Sequence, residues 1–403
     1  MLAILTTHPI QYQVPLWRAL AKDGRVPFEV WYLTDHGARP SYDREFGKTF
    51  GWDIDTLSGY PHTFLDVPSG VAPDSFWGCR LRERLGHRIR RSGARAVWIQ
   101  GWQVAAYWQA VWAAKDAGAE LWLRGESNDL APVPCWKRPL KHFLLGQLFS
   151  RVDRFLYIGS ANRRLYESFG VGSSQLYPAP YAVDNERFAR QAEALRPERT
   201  SIRRAWRIPD DAYCVLFCGK FIEKKRPMDL IAAARLLRAT GGLPNLHLLF
   251  VGDGDLGAEM RAACEVVYDA SHCEEEGELF VAPSEDLGPP PASFVGFLNQ
   301  TKISRAYVAA DCLVLPSDHG ETWGLVVNEA LASGLPSVVS DACGCAEDLV
   351  SRNVTFRLAN AGDAALKIET LERAEGAAVS VPWGLEETVQ SIGDLYERVY
   401  GGA

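Results

Sequence analysis

Short apolar runs alternate with amphipathic stretches from one end of the chain to the other. In the front half the runs at 2–6, 27–33, 96–100, 120–124 and 154–158 predict strands. The stretches at 14–22, 80–92, 104–117 and 140–150 carry helical spacing. The back half repeats the pattern, with strands predicted at 213–217, 246–251, 312–315 and 336–340 and helices at 227–240, 255–268, 302–309 and 323–333. Alternation of this kind predicts parallel sheets covered by helices on both faces, twice over. A length of 403 residues also favours two domains. Ligands in such sheets bind at the carboxyl ends of strands, where loops from both domains converge. The boundary is expected near 186–200, after Tyr181-Ala182-Val183-Asp184, where a polar, charged stretch begins. Residues 269–292, with Glu274-Glu275-Glu276 and Pro289-Pro290-Pro291, read as a surface loop.

Composition narrows the class. Apolar content of 47% and charged content of 23% describe a globular chain, and no apolar run approaches the ~20 residues that cross a bilayer. Met1-Leu2-Ala3-Ile4-Leu5-Thr6-Thr7 reads as a first strand rather than a signal peptide. Nine scattered cysteines, several in strand-like runs, read as small hydrophobes in a reducing, cytoplasmic compartment. Cys343 and Cys345 are too close for a metal pair, and no second pair completes a site.

The net charge of −7 divides unevenly, with +5 on residues 1–188 and −12 on residues 189–403. Arg80, Arg82, Arg84, Arg88, Arg90, Arg91 and Arg95 read as clustered on one helix. Lys137, Arg138, Lys141 and His142 form a second patch beside Trp136 and Phe143. Such patches are either solvated helix faces or contacts with an anionic membrane surface or a diphosphate-linked lipid. Nucleic acid is excluded by the acidic balance and the lack of a recognisable binding module.

Candidate chemistry is densest at His319-Gly320-Glu321-Thr322-Trp323-Gly324-Leu325-Val326-Val327-Asn328-Glu329-Ala330, between two strand-like runs. Its glycines fall where a chain leaves a strand and opens a helix, which exposes backbone N–H groups at a positive helix end. That suits phosphate. Glu321 at the helix mouth and Glu329 just over two turns in would bracket such an anion, as a nucleotide sugar requires. A second constellation, Phe217-Cys218-Gly219-Lys220-Phe221-Ile222-Glu223-Lys224-Lys225-Arg226-Pro227, sets several cations just past a strand end, where they could neutralise a departing diphosphate.

From Phe294 to Val350 the chain resembles the donor half of a retaining GT-B glycosyltransferase of family 4 (glycosyl transferases group 1), whose mark is two glutamates separated by seven residues. The resemblance is strong over residues 210–350 and weak in the front half. It implies two Rossmann-like domains facing across a cleft: an acceptor domain at 1–190, a donor domain at 191–380, and a terminal helix at 381–403 packing back toward the first. It implies that Glu321 holds the donor sugar and Glu329 the ribose. Lys220, Lys225, Gly219 and the backbone at Gly320, Thr322, Trp323, Gly324 and Leu325 would hold the diphosphate, with the base against Gly296–Leu298. The family places an arginine where this chain has Lys220, which keeps the charge but loses a bidentate fork.

In the front half, Thr7-His8-Pro9-Ile10-Gln11-Tyr12 is expected to open a helix with Pro9 at its start. It lacks the glycines that many relatives carry there. His8, Gln11 and Trp102 are expected near the acceptor. Arg124 and Glu126 stand about where much of the family has a histidine, and the work of that histidine would fall to them. Trp102 would either stack on a sugar or fill a wall. Asp253 in Val251-Gly252-Asp253-Gly254-Asp255 reads as turn chemistry after a strand rather than as a metal site, so no metal and no bound cofactor is expected beyond the nucleotide sugar as co-substrate. The expected function is a retaining transfer from a UDP-sugar, with GDP-sugar as the alternative, to a glycan, lipid-linked or small-molecule acceptor. The rivals are a nucleotide-sugar 2-epimerase of the same fold and an inactive sugar-binding subunit. A dinucleotide-binding oxidoreductase is a third rival.

Overall fold

The computed structural model describes residues 1–38, 41–43, 48–68, 72–132, 134–272, 288–374 and 379–401. The chain forms two compact units: residues 1–41, 49–184 and 383–403 build the first, and residues 42–48 and 185–382 the second. The strands, in chain order, are β1 Leu2–Thr6, β2 Phe28–Tyr32, β3 Ser41–Asp43, β4 Lys48–Phe50, β5 His62–Phe64, β6 Ala96–Ile99, β7 Glu120–Leu123, β8 Arg154–Tyr157 and β9 Leu176–Pro178. There follow β10 Tyr213–Cys218, β11 Leu246–Val251, β12 Glu265–Asp269, β13 Pro291–Phe294, β14 Cys312–Leu315, β15 Ser337–Ser340 and β16 Thr355–Phe356. β3 and β4 pair only with each other.

The first unit holds a seven-stranded sheet in the order β5-β2-β1-β6-β7-β8-β9, parallel throughout. β1 lies between β2 and β6, with Leu2 opposite both Phe28 and Ala96, and all five of its residues are buried. Alternation along each strand feeds two cores. Leu2, Ile4, Trp98 and Trp122 point to one side, where Trp17 and the terminal helix Leu385–Tyr400 cover them. Ala3, Leu5, Val97 and Ile99 point to the other, against the helices Leu85–Ser92, Ala105–Ala117 and Arg138–Phe149. The terminal helix is pinned by Arg25 to Asp394 at 2.9 Å and by the Thr388 hydroxyl donating to the Pro180 carbonyl at 2.8 Å.

The second unit repeats the plan, in the order β12-β13-β11-β10-β14-β15-β16, again all parallel. The charged stretch after 186 is helical: Asn185–Leu195, then Arg199–Ala205. Its arginines serve the fold. Arg199 and Arg203 both reach Asp311 at 2.6 Å, just before β14, and the buried Arg203 also donates to the carbonyls of Ala309 and Ala212.

Several expectations change. The stretch at 255–268 is a short helix, Gly257–Ala262, followed by edge strand β12, because Val266-Val267-Tyr268 is β-branched and aromatic. The segment read as a loop at 269–292 ends in β13, inserted between β12 and β11; its glutamates at 274–276 lie outside the described residues. The seven front-half arginines do not share a helix. Arg80, Arg82 and Arg84 precede Leu85–Ser92, Arg88 pairs with Glu83 at 2.9 Å, and Arg95 lies over the Tyr400 ring at 4.4 Å. Pro9 does not start a helix: the helix Val14–Asp23 begins five residues later with Pro15 in its first turn. Among the described residues no helix is long and apolar enough to cross a membrane.

One close approach fixes the loops above the second sheet. Gly252, after β11, sits at φ 139°, and a Cβ there would lie 1.9 Å from the Gly219 carbonyl oxygen after β10. Gly252 N donates to the Gly296 carbonyl at 2.9 Å, and Gly219 N to that of Val251 at 2.9 Å, so three strand ends are tied together. Gly252→Ala should therefore lower stability by roughly 2–4 kcal/mol, since both the dihedral and the backbone contact resist it. Urea unfolding checks this, and an unchanged midpoint would refute the contact.

Candidate functional site

In the second sheet β10 and β14 are neighbours, but the chain winds outward from them in opposite directions. Between such strands the connecting loops part, and an open parallel sheet leaves its crevice there. The loop after β10 carries Gly219, Lys220 and Lys225; the loop after β14 carries Ser317, Gly320, Glu321 and Gly324. These two loops are stitched together. Asp318 N donates to the Lys224 carbonyl at 2.8 Å, and Gly344 N to the Glu321 carbonyl at 3.2 Å. Lys225 Nζ forms an ion pair with Glu321 Oε2, which also accepts from the Ser317 hydroxyl at 3.3 Å. The two charged side chains are only 20% and 14% exposed, so each screens the other in a partly dry setting.

The neighbouring cations differ in role. Arg226, at φ 49°, starts the helix Pro227–Ala239 and turns its guanidinium onto Asp229 at 2.6 Å. Lys224 is exposed and Lys220 half-buried. Lys225 is thus the cation that meets the glutamate, while Arg226 serves a helix end.

The helix after Glu321 is Leu325–Ala332, capped by Gly324 at φ 106°. A Cβ on Gly324 would come within 2.7 Å of Leu315 Cδ2 and 3.3 Å of Cys345 Sγ, so glycine lets the helix mouth pack down onto β14. Because the helix begins at Leu325, Glu329 lies one turn in, not two. The Trp323 ring is buried and its indole donates to Asn328 Oδ1 at 2.9 Å, so that side chain belongs to the core. Thr322 and Leu325 are half-buried at the mouth.

Glu329 has partners that sequence reasoning missed. Its Oε2 accepts from the Tyr307 hydroxyl at 2.5 Å. Burial raises its pKa, opposed by Tyr307, by the charge of Arg187 and by a hydrogen bond from Gln300. Arg187 is held on Gln300, reaching its carbonyl at 3.1 Å and its side-chain oxygen at 2.7 Å. The Cys218 thiol nearby is pushed up to about 12, by burial first and then by the Glu329 charge. Gly296 and Leu298 follow β13, half-buried. No sequence period marks Tyr307, Gln300 or Arg187, although each lies at or near the end of an element.

The first sheet has its own reversal between β1 and β6. There a cavity of about 200 Å³ is lined by Thr6, Thr7, His8, Ile10, Tyr12, Gln13, Pro73, Asp74, Gln100, Gln103, Tyr107 and Glu126. Glu126 is fixed by the hydroxyls of Tyr181 and Tyr12, the latter at 3.1 Å. Gln100 is buried at the end of β6, and its Nε2 has no hydrogen-bond partner among the described residues. Burial pushes the His8 pKa down to about 3, with His36 adding to the shift, so its ring is neutral at physiological pH. Among the described lining residues none is a lysine or arginine.

Three front-half candidates do not line this cavity. Arg124 is 3% exposed and lies beneath the Tyr181 ring at 4.4 Å, donating to the Ala179 and Pro180 carbonyls. It supports the tyrosine that holds Glu126. Trp102 packs edge-on against Phe149 at 5.6 Å. Gln11 is half-buried outside the lining, whereas Tyr12 and Gln13 are in it. Among the described residues no group of three or more His, Cys, Asp or Glu is arranged to hold a metal.

The model of the family described as "Glycosyl transferases group 1" matches residues 198–378, the span containing the Lys225–Glu321 pair. Residues 198–378 belong to that family. A D-inositol 3-phosphate glycosyltransferase of Thermomonospora curvata is 31% identical to the chain over 182 residues, 45% of this chain and 39% of that protein. A 2-deoxystreptamine N-acetyl-D-glucosaminyltransferase of Streptomyces fradiae is 31% identical over 207 residues, 51% and 43% of the two lengths. The match thus spans about two fifths of these curated relatives. Outside the group 1 segment the likeness is of fold. Anabaena HepE, solved in complex with UDP and glucose, superposes with a TM-score of 0.63 at 14% identity, covering 98% of this chain and 99% of its own. The chain has the two-sheet α/β fold of the GT-B glycosyltransferases.

The raised pKa of Glu329 has a measurable consequence. A carboxyl whose folded pKa exceeds its unfolded value binds its proton more tightly when folded, so it favours the fold in acid and disfavours it as pH rises past the ordinary carboxyl range. Glu329→Gln keeps an acceptor for Tyr307 without the buried charge. Its melting temperature relative to the parent should climb between about pH 4 and pH 7. A difference that is flat or falls over that range would contradict the shift.

Proposed function

We propose that the chain is a retaining glycosyltransferase that moves a sugar from a nucleoside diphosphate sugar to a hydroxyl-bearing acceptor, with UDP favoured over GDP. The observation that carries this reading is the Lys225–Glu321 pair at the reversal of the second sheet, beside the glycine-capped start of Leu325–Ala332. The N–H groups of a helix start and a lysine ammonium suit a diphosphate, and a carboxylate within reach suits sugar hydroxyls. Glu329, one turn further, would take the ribose hydroxyls, and the Gly296–Leu298 segment the base. The group 1 relatives act on sugars by their names, and the HepE structure holds UDP, which supports the same donor class here.

In this reading the second unit binds the donor and the first the acceptor. When the donor enters, its diphosphate draws the Lys225 ammonium away from Glu321, and Glu321 turns to the sugar. The bond from the anomeric carbon to the phosphate oxygen breaks, the bond to the acceptor oxygen forms on the same face, and the departing phosphate oxygen takes the acceptor proton. Lys220 and Lys225 meet the charge that grows on the leaving group, so no metal is required. The first unit's cavity offers Gln100, Glu126 and Asp74. Those amide and carboxylate groups suit a hydroxyl-rich part of the acceptor, whether it is carried on a glycan, a lipid or a small molecule.

Melting-temperature shifts with a panel of nucleotide sugars identify the donor, because a ligand that binds only the folded state raises stability by mass action. Glu321→Ala should lower turnover by roughly two orders of magnitude with a smaller loss of donor affinity. Near-parental turnover would remove the central assignment. Lys225→Ala and Lys220→Ala should each impair donor binding and turnover together, whereas EDTA should leave activity intact. Loss of activity in EDTA that manganese or magnesium restores would overturn the metal-independent step.

A further inference from the structure

We infer that the helix Arg138–Phe149 of the first unit, with Trp136 before it, docks on an anionic membrane surface. This helix is apolar on two sides. Its inner side, Leu145, Leu148 and Phe149, is buried, and Phe149 meets Trp102, Phe155, Tyr166 and Phe169 edge-on. The outer side is apolar and uncovered: Leu140 is 63% exposed, Phe143 62% and Leu144 45%, with Trp136 at 74%. Leu140, Phe143 and Leu144 stand at i, i+3 and i+4 and so share one face. Single exposed apolar residues need no explanation, but a contiguous stripe on one helix marks an interaction surface.

Charge identifies the occupant. Residues 134–151 contain Lys137, Arg138, Lys141 and Arg151 and no aspartate or glutamate. Lys137 Nζ lies 4.8 Å over the Trp136 ring. Arg151 lies 4.1 Å over Trp112 and donates to the Gln147 carbonyl at 2.6 Å, one turn beyond Phe143. Trp112, 55% exposed on the helix Ala105–Ala117, extends the patch beyond Arg151. Tryptophans and cations around an apolar stripe suit a bilayer interface, where rings enter the headgroup level and cations stay with phosphates. A second copy of the chain would set four cations against four cations, which disfavours self-association there. Through Phe149 the same helix supports Trp102, two residues past Gln100 at the cavity, so docking would hold that cavity close to the bilayer.

The test is flotation of the purified chain with vesicles of phosphatidylcholine alone and of phosphatidylcholine mixed with phosphatidylglycerol. The chain should float only with the mixed vesicles, and more weakly as salt rises. Lys137→Gln with Lys141→Gln should weaken binding on the order of 30-fold at low salt, at about one kcal/mol for each cation. Leu140→Ser, Phe143→Ser and Leu144→Ser together should abolish flotation with the melting temperature unchanged, since those side chains are exposed. No flotation with mixed vesicles at low salt would overturn the proposal, as would a triple variant that floats like the parent. A concentration-dependent dimer that the triple variant dissolves, without flotation of the parent, would assign the patch to a second copy instead. Vesicle binding is read without donor or acceptor, so its failure leaves the sugar-transfer reading standing, and the reverse also holds.

Discussion

The second unit depends on a place where no side chain fits. Gly252 approaches Gly219 so closely that a single added carbon would overlap the carbonyl oxygen, and Gly254 is confined in the same way against Phe221, with 2.7 Å from a would-be Cβ to its carbonyl. These contacts let Phe221 N donate to the Asp253 carbonyl and Leu256 N to that of Phe221, each at 2.9 Å. Phe221 is thereby drawn down among Phe217, Phe250 and Phe294. Once Phe221 is anchored, its neighbour Lys220 and the turn bearing Lys225 have little freedom. A cation held by its backbone before a ligand arrives needs no reorganisation when charge develops, which is where electrostatic stabilisation has its effect.

Cations in this unit divide by what they face. Arg199 and Arg203 spend their charge on Asp311 and on carbonyls, and they join the helix Arg199–Ala205 to the start of β14. Arg226 is turned onto Asp229 at a helix start. Lys225 differs because it pairs with a glutamate on a loop, beside a glycine-capped helix mouth. An ion pair on two loops can exchange partners when a ligand brings charge of its own, whereas a buried arginine with several carbonyls cannot without unfolding its surroundings.

The buried strands were legible because a parallel sheet covered on both faces is apolar along its length, and β1, β11 and β14 are buried at every residue. Short edge strands such as His62–Phe64 and Thr355–Phe356 carry too few residues for a period to show. The helix limits moved where a cap decided them: Gly324 starts its helix later than the apolar pattern does and brings Glu329 a turn closer to the mouth. Glu321, Lys225 and Gly219 were readable from their places beside strand ends, and the fold brings them together. Their supports were not. Tyr181 is 55 residues from Glu126, Gln300 is 113 from Arg187, and Tyr307 is 22 from Glu329. Periodicity reports which side of an element is buried, and it carries no information about which distant side chain arrives there.

Charge counted along the sequence likewise says little until it is placed. The front half's excess of cations invites a search for an anion at its cavity, yet the described walls hold Asp74, Glu126 and a neutral His8, with no lysine or arginine among them. Its arginines are distributed to other tasks: Arg124 under Tyr181, Arg88 on Glu83, Arg95 over Tyr400, Arg154 on Glu120. Another group lies around Arg138–Phe149, where leucine and phenylalanine side chains stand in water. Surface cations alone would be ordinary solvation. Combined with an apolar stripe whose exposure costs free energy in water, they make a face that water solvates poorly and an anionic, apolar-backed surface solvates well.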